Sequence, residues 1–183
     1  MDVCGHGVGA AILCISAINA IRSQSLTDTN FKSPASVLKG LNEAFPMEDQ
    51  NNKYFTIWYG VYHKKNHELI FSSAGHPHAI LFTGSDLNNK TLKTLTSGGL
   101  AIGMMGDIIF NETIVPLNNF NKLFVFSDGV YEITQKDGKE MNLDDYTQLM
   151  KEYFSDLELL ESEKVLEKIK SLKNEIGPFD DDF

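Results

Sequence analysis

From Tyr54 to Ser127 the chain runs through one β-type segment after another, and on both sides of that stretch it is helical. Helices, then many strands, then helices again is an order that packs as α+β layers around a shared core. The first helical segment spans Gly7 to about Arg22, where Ala10, Ala11, Ile12, Leu13, Ile15, Ala17, Ile18 and Ile21 leave little polar face. That is the pattern of a helix buried against a sheet. Ser33-Pro34 supplies an N-cap and a proline at the first position of a second helix, with Val37, Leu38, Leu41 and Phe45 on one face and an end near Pro46.

Tyr54–His63 and Glu68–Ser73, joined by the turn Lys64-Lys65-Asn66, predict a hairpin. His78–Thr83, Leu92–Leu95, Ile108–Leu117 and Lys122–Ser127 read as further strands, the last apolar enough to be buried on both faces. Lys136-Asp137-Gly138-Lys139 is a turn, and helices follow over Leu143–Phe154 and about Ser162–Ile176. At 183 residues, 42% hydrophobic and 22% charged, the chain suits one globular domain, residues 1–183.

A net charge of −9 argues against nucleic acid as the main partner, because phosphate backbones call for a clustered basic surface. Cys4 and Cys14 read as reduced packing residues, which suits a cytoplasmic protein. The apolar run Val8–Ile21 is interrupted by Ser16 and Asn19 and falls short of the roughly 20 residues of a membrane span, and no basic segment precedes it.

The chemistry concentrates in acidic turns. Asp2-Val3-Cys4-Gly5-His6-Gly7 presents a carboxylate and a main-chain carbonyl ahead of a helix, Asp128-Gly129 follows an apolar strand, and Asp180-Asp181-Asp182 closes the chain. Aspartates at strand ends are how β frameworks converge oxygen ligands on hard cations. Two carboxylates about 4 Å apart repel by roughly 4 kcal/mol at an effective dielectric near 20, so a convergent set implies a metal or raised pKa values.

With Ala74-Gly75-His76-Pro77, Gly98-Gly99-Leu100-Ala101-Ile102-Gly103 and Phe126-Ser127-Asp128-Gly129-Val130 with Glu132, these motifs stand in the order and approximate spacing of the PPM-type metal-dependent Ser/Thr phosphatases. The chain most resembles the bacterial SpoIIE-like branch, which regulates sigma factors by partner switching. The resemblance implies an antiparallel β-sandwich flanked by helices, with this chain lacking the family's first strands and last strand. It implies two Mn²⁺ or Mg²⁺ ions, with Asp2 bridging both, Val3 offering its carbonyl, and Asp128 with Asp181 holding the second ion. Three aspartates in a row leave Asp180 as the alternative to Asp181. A metal-activated water would then attack phosphoserine on a small regulatory protein such as an anti-anti-sigma factor. A sensor domain upstream is a further implied partner. The competing expectation is a weak or inactive phosphatase-like module that binds a signalling partner without hydrolysis.

His6 invites a general-acid role, but it belongs to the Gly-His-Gly that starts the helix, and His76 sits in a turn and reads as structural. His63, His67 and His78 lack ligand spacing to one another. The aromatic run Tyr54, Phe55, Trp58, Tyr59 and Tyr62 fits strand packing better than a binding platform.

Overall fold

The computed structural model describes residues 1–86, 88–153 and 162–173. They form an α+β fold with antiparallel strand pairs, as expected, and the chain divides into two compact units.

The first unit comprises Met1–His78 and Leu95–Asn118. Its sheet contains β1 (Asp2–Val3), β2 (Phe55–His63), β3 (Glu68–Ala74) and, later in the chain, β6 (Thr113–Pro116), in that spatial order. The hairpin pairs Tyr59 with Ser72 and His63 with Glu68. Helix α1 (Val8–Arg22) and helix α2 (Pro34–Ala44) belong to the same unit. Leu13 and Ala17 of α1 and Val37, Leu38 and Leu41 of α2 bury with Phe55, Ile57, Ala74 and Ile102. The all-round burial expected of α1 is corrected. Only the stripe through Ala10, Leu13 and Ala17 is fully covered, while Ile12 and Ile15 are 59% and 58% exposed.

Ser33 caps α2 as its sequence indicates, accepting the Ser36 N–H at 3.3 Å with Pro34 at the first position. A second cap comes from far along the chain, where the Glu112 carboxylate accepts the Ser33 hydroxyl and the Ala35 N–H. This explains why the strand expected over Ile108–Leu117 is only Thr113–Pro116. Glu112 closes the end of α2, Phe110 enters the core, and Asn111 offers its carbonyl to Ser97, so residues 108–112 serve as a pinned loop.

The second unit comprises Ala79–Thr94 and Asn119–Phe183, and its sheet consists of β5 (Lys90–Leu95, whose last residue is counted with the first unit), β4 (Ala79–Gly84) and β7 (Phe120–Phe124), in that order. Helices α3 (Leu143–Tyr153) and α4 (Ser162–Leu172) supply Tyr146, Met150, Val165 and Ile169 to a core with Ile80, Phe82, Tyr131 and Ile133. The predicted turn is present, with Gly138 donating its N–H to the Gln135 carbonyl. Burial of the apolar run on both faces is also corrected. Phe124 and Phe126 pack against the core, whereas Leu123 and Val125 are exposed. An alternating strand with one face on a helical layer leaves the other set of side chains outward.

Candidate active site

Asp2 is set by strand pairing. It stands opposite Thr56, and Val3 stands opposite Phe55, in the antiparallel pair of β1 with β2. The Cys4 N–H continues the ladder to the Tyr54 carbonyl at 2.9 Å, so both residues are held on a sheet before the chain turns into α1. Both are half-buried. His6 is exposed, in keeping with a place in the helix entry rather than in a site. Lys53 lies over the same loop, close enough that a Cβ on Gly5 would sit 3.1 Å from its Nζ. The cation therefore borders the segment that carries Asp2. Beside it the Tyr54 phenol is pushed upward, mainly by its hydrogen bond with the Cys4 thiol.

The Ala-Gly-His-Pro turn folds against this strand. Thr56 Oγ1 and His76 Nδ1 are joined by a 2.8 Å hydrogen bond, and the His76 carbonyl accepts the Ser73 hydroxyl at 3.2 Å. Gly75 takes φ 66°, and a Cβ there would stand 3.1 Å from the Ala101 nitrogen, so only glycine fits without displacing backbone. The glycine-rich segment 98–103 is fixed in turn by reciprocal backbone bonds between Phe55 and Ile102, at 3.2 and 2.8 Å. Gly103 (φ 90°) packs within 2.5 Å of the Phe45 carbonyl, measured from a built Cβ. Asn42 clamps the same segment, accepting the Gly103 N–H and donating to the Met105 carbonyl, both at 2.9 Å.

Asp128 belongs to the second unit. It opens a 3-10 turn over Asp128–Val130, its carbonyl accepting the Tyr131 and Glu132 N–H groups at 2.8 and 2.9 Å. The Gly129 N–H donates to Oδ1 at 3.0 Å, which restrains that oxygen of the carboxylate. Near the turn an apolar cavity of about 210 Å³ opens between Phe126, Val130 and Tyr146 on one side and Val165 and Ile169 of α4 on the other. Among the described residues that line it, none is charged. Burial drives the Tyr146 phenol far above its ordinary range, so it stays protonated there.

Asp180, Asp181 and Asp182 lie outside the described residues. Among the described residues, no three His, Cys, Asp or Glu side chains group in a way that could hold a metal ion. The donors that are described nevertheless suit a hard divalent cation in kind, being half-buried carboxylates on a strand end and a hydrogen-bonded turn. Thr56, Asn42 and Lys53 went unnoticed in the sequence. The signal for Asn42 was a polar residue on the apolar face of α2, one position after Leu41 and four after Leu38.

The architecture is that of the PP2C phosphatase domains. The SiaA PP2C domain of Pseudomonas aeruginosa superposes with a TM-score of 0.73 at 16% identity, covering 95% of this chain and 66% of that one. The chain belongs to the SpoIIE family, whose sequence profile, described as Stage II sporulation protein E, matches residues 1–183. Among its relatives, phosphoserine phosphatase RsbU of Bacillus subtilis is 31% identical over 137 residues, 75% of this chain and 39% of that protein. Phosphoserine phosphatase RsbP of the same organism is 27% identical over 138 residues, 73% of this chain and 32% of that protein. The chain thus spans well under half the length of either relative. Among the described residues, no helix is long and apolar enough to cross a membrane.

Proposed function

We propose that this chain is the catalytic domain of a metal-dependent phosphoserine phosphatase, whose substrate is a small regulatory phosphoprotein of the anti-anti-sigma type. The family match over the whole chain carries the reading, and the phosphoserine phosphatase relatives support it. In this reading Asp2, the Val3 carbonyl, Asp128 and Asp181, or Asp180 in its place, would hold a pair of Mn²⁺ or Mg²⁺ ions. When bound, such ions neutralise charge on the phosphoryl oxygens and acidify a water for in-line attack. The chain's own part is to orient donors. The β1·β2 pair presents Asp2 and Val3 together, and the Gly129 N–H restrains one oxygen of the Asp128 carboxylate. Regulation is assigned to a sensor domain outside this chain.

The test is hydrolysis of a phosphoserine protein with Mn²⁺, with Mg²⁺ and with a chelator. Activity is expected only with metal and is expected to fall at least about a hundredfold in Asp128→Asn, since a lost Lewis-acid contact is worth several kcal/mol. Metal-independent hydrolysis, or an unaffected variant, refutes the assignment. Phosphoprotein binding without turnover selects the non-catalytic module instead.

A further inference from the structure

Thr56 is the residue directly across the ladder from Asp2. Side chains at a directly opposed antiparallel position leave the same face of the sheet with Cβ atoms about 5 Å apart. The threonine is therefore the cross-strand neighbour of Asp2 on the same face of the sheet. The strand bearing Asp2 is two residues long, so few ladder bonds restrain it and side-chain packing carries more of its orientation.

Thr56 is itself pinned. Its Oγ1 is 2.8 Å from His76 Nδ1, and His76 is only 8% exposed. The backbone of the turn that carries the imidazole is tied by the Ser73 hydroxyl on the His76 carbonyl and by the close approach of Gly75 to Ala101. A threonine without a side-chain partner has more than one χ1 well open to it, and a hydrogen bond to a buried ring selects one.

We propose that His76, acting through Thr56, is a positioning residue for Asp2. The pair locks the threonine rotamer that sets the direction of the Asp2 carboxylate, and so tunes the affinity of Asp2 for its divalent cation. The inference rests on the reading of Asp2 as a metal ligand. It differs from a purely structural role for the buried histidine, which would support the turn and leave metal affinity alone.

The experiment measures Mn²⁺ binding to the intact chain from the paramagnetic resonance signal of free Mn²⁺, which requires no turnover, with metal-free thermal unfolding recorded beside it. Thr56→Val keeps the β-branched shape and removes the hydroxyl; Thr56→Ser restores the hydroxyl; His76→Asn keeps a polar atom near the position of Nδ1. The expected result is roughly tenfold weaker Mn²⁺ binding in Thr56→Val, with Thr56→Ser within about twofold of the unsubstituted chain and His76→Asn between the two, the scale of loss seen when outer partners of metal ligands are removed. Mn²⁺ affinity in Thr56→Val within about twofold of the unsubstituted chain overturns the inference, and so does equal weakening in Thr56→Ser. Asp2→Asn separates this failure from that of the wider reading. If Asp2→Asn leaves Mn²⁺ binding intact, Asp2 is no ligand and both fall; if it abolishes binding while Thr56→Val does not weaken it, only the positioning role falls.

Discussion

Replacing Asn42 with alanine removes two hydrogen bonds that differ in kind. The Gly103 N–H that donates to Oδ1 is buried, so the variant leaves a donor with no partner and no water; such a group costs about 1–3 kcal/mol. The Met105 carbonyl that accepts from Nδ2 belongs to a residue 59% exposed, where water can replace the amide, and that loss is about 1 kcal/mol or less. The sum is about 1–4 kcal/mol, which urea unfolding followed by circular dichroism measures directly, with an unchanged m-value. A loss under about 0.5 kcal/mol would mean that the segment following Gly98 is held without the clamp and would refute the argument. Asn42→Asp sharpens the test. The introduced carboxylate can still accept from Gly103, but it turns a second oxygen toward the Met105 carbonyl, which favours its protonated form in the folded state. Its folded pKa is therefore raised above the unfolded value of about 3.9, so stability is best below that pH and declines as pH rises through the folded pKa. A variant whose deficit relative to the unsubstituted chain does not change with pH would contradict this sign.

Gly75→Ala places a Cβ 3.1 Å from the Ala101 nitrogen at φ 66°, and should cost about 1–3 kcal/mol in the same unfolding assay; an unchanged midpoint would show that the turn relaxes freely. The Asp86 carboxyl accepts from the Asn89 side chain first, then from the Ser85 hydroxyl and the Asn89 and Asn88 N–H groups, which lowers its pKa from 3.8 to about 2. Its contribution to stability is therefore present above pH 3.8 and lost as pH falls through about 2, and a carboxyl chemical-shift titration centred near 3.8 would overturn the network.

Local chemistry made most elements legible. Ser33-Pro34 marked the start of α2 because a hydroxyl cap and a fixed φ act within one turn. The β2·β3 hairpin was readable because the whole unit lies within neighbouring sequence, from Phe55 to Ala74. What failed was decided by partners distant in the chain. Nothing in residues 108–112 signals that Glu112 will close the end of a helix that begins 78 positions earlier, at Pro34, and a β-type composition there reads as strand until that contact is known. Likewise the apolar letters of Val8, Ile12 and Ile15 could not disclose that α1 covers only its Ala10-Leu13-Ala17 stripe, since burial depends on what lies opposite.

The candidate site divides along the same line. Asp2 and Asp128 stand out in the sequence as candidate ligands because hard cations favour carboxylates. Thr56, His76 and Asn42 answer to no such preference. Many side chains can donate or accept one hydrogen bond, and these three matter because folding brings positions 56 and 76, or 42 and 103, to 2.8 and 2.9 Å. In the proposal above Thr56 and His76 act on the placement of Asp2, whereas Asn42 acts on the stability of the segment it clamps. This predicts where substitutions among relatives of equal fold should be felt: exchanges at Thr56 and His76 that keep a hydrogen bond leave Asp2 where it is, and exchanges that break it shift the carboxylate while the sheet remains.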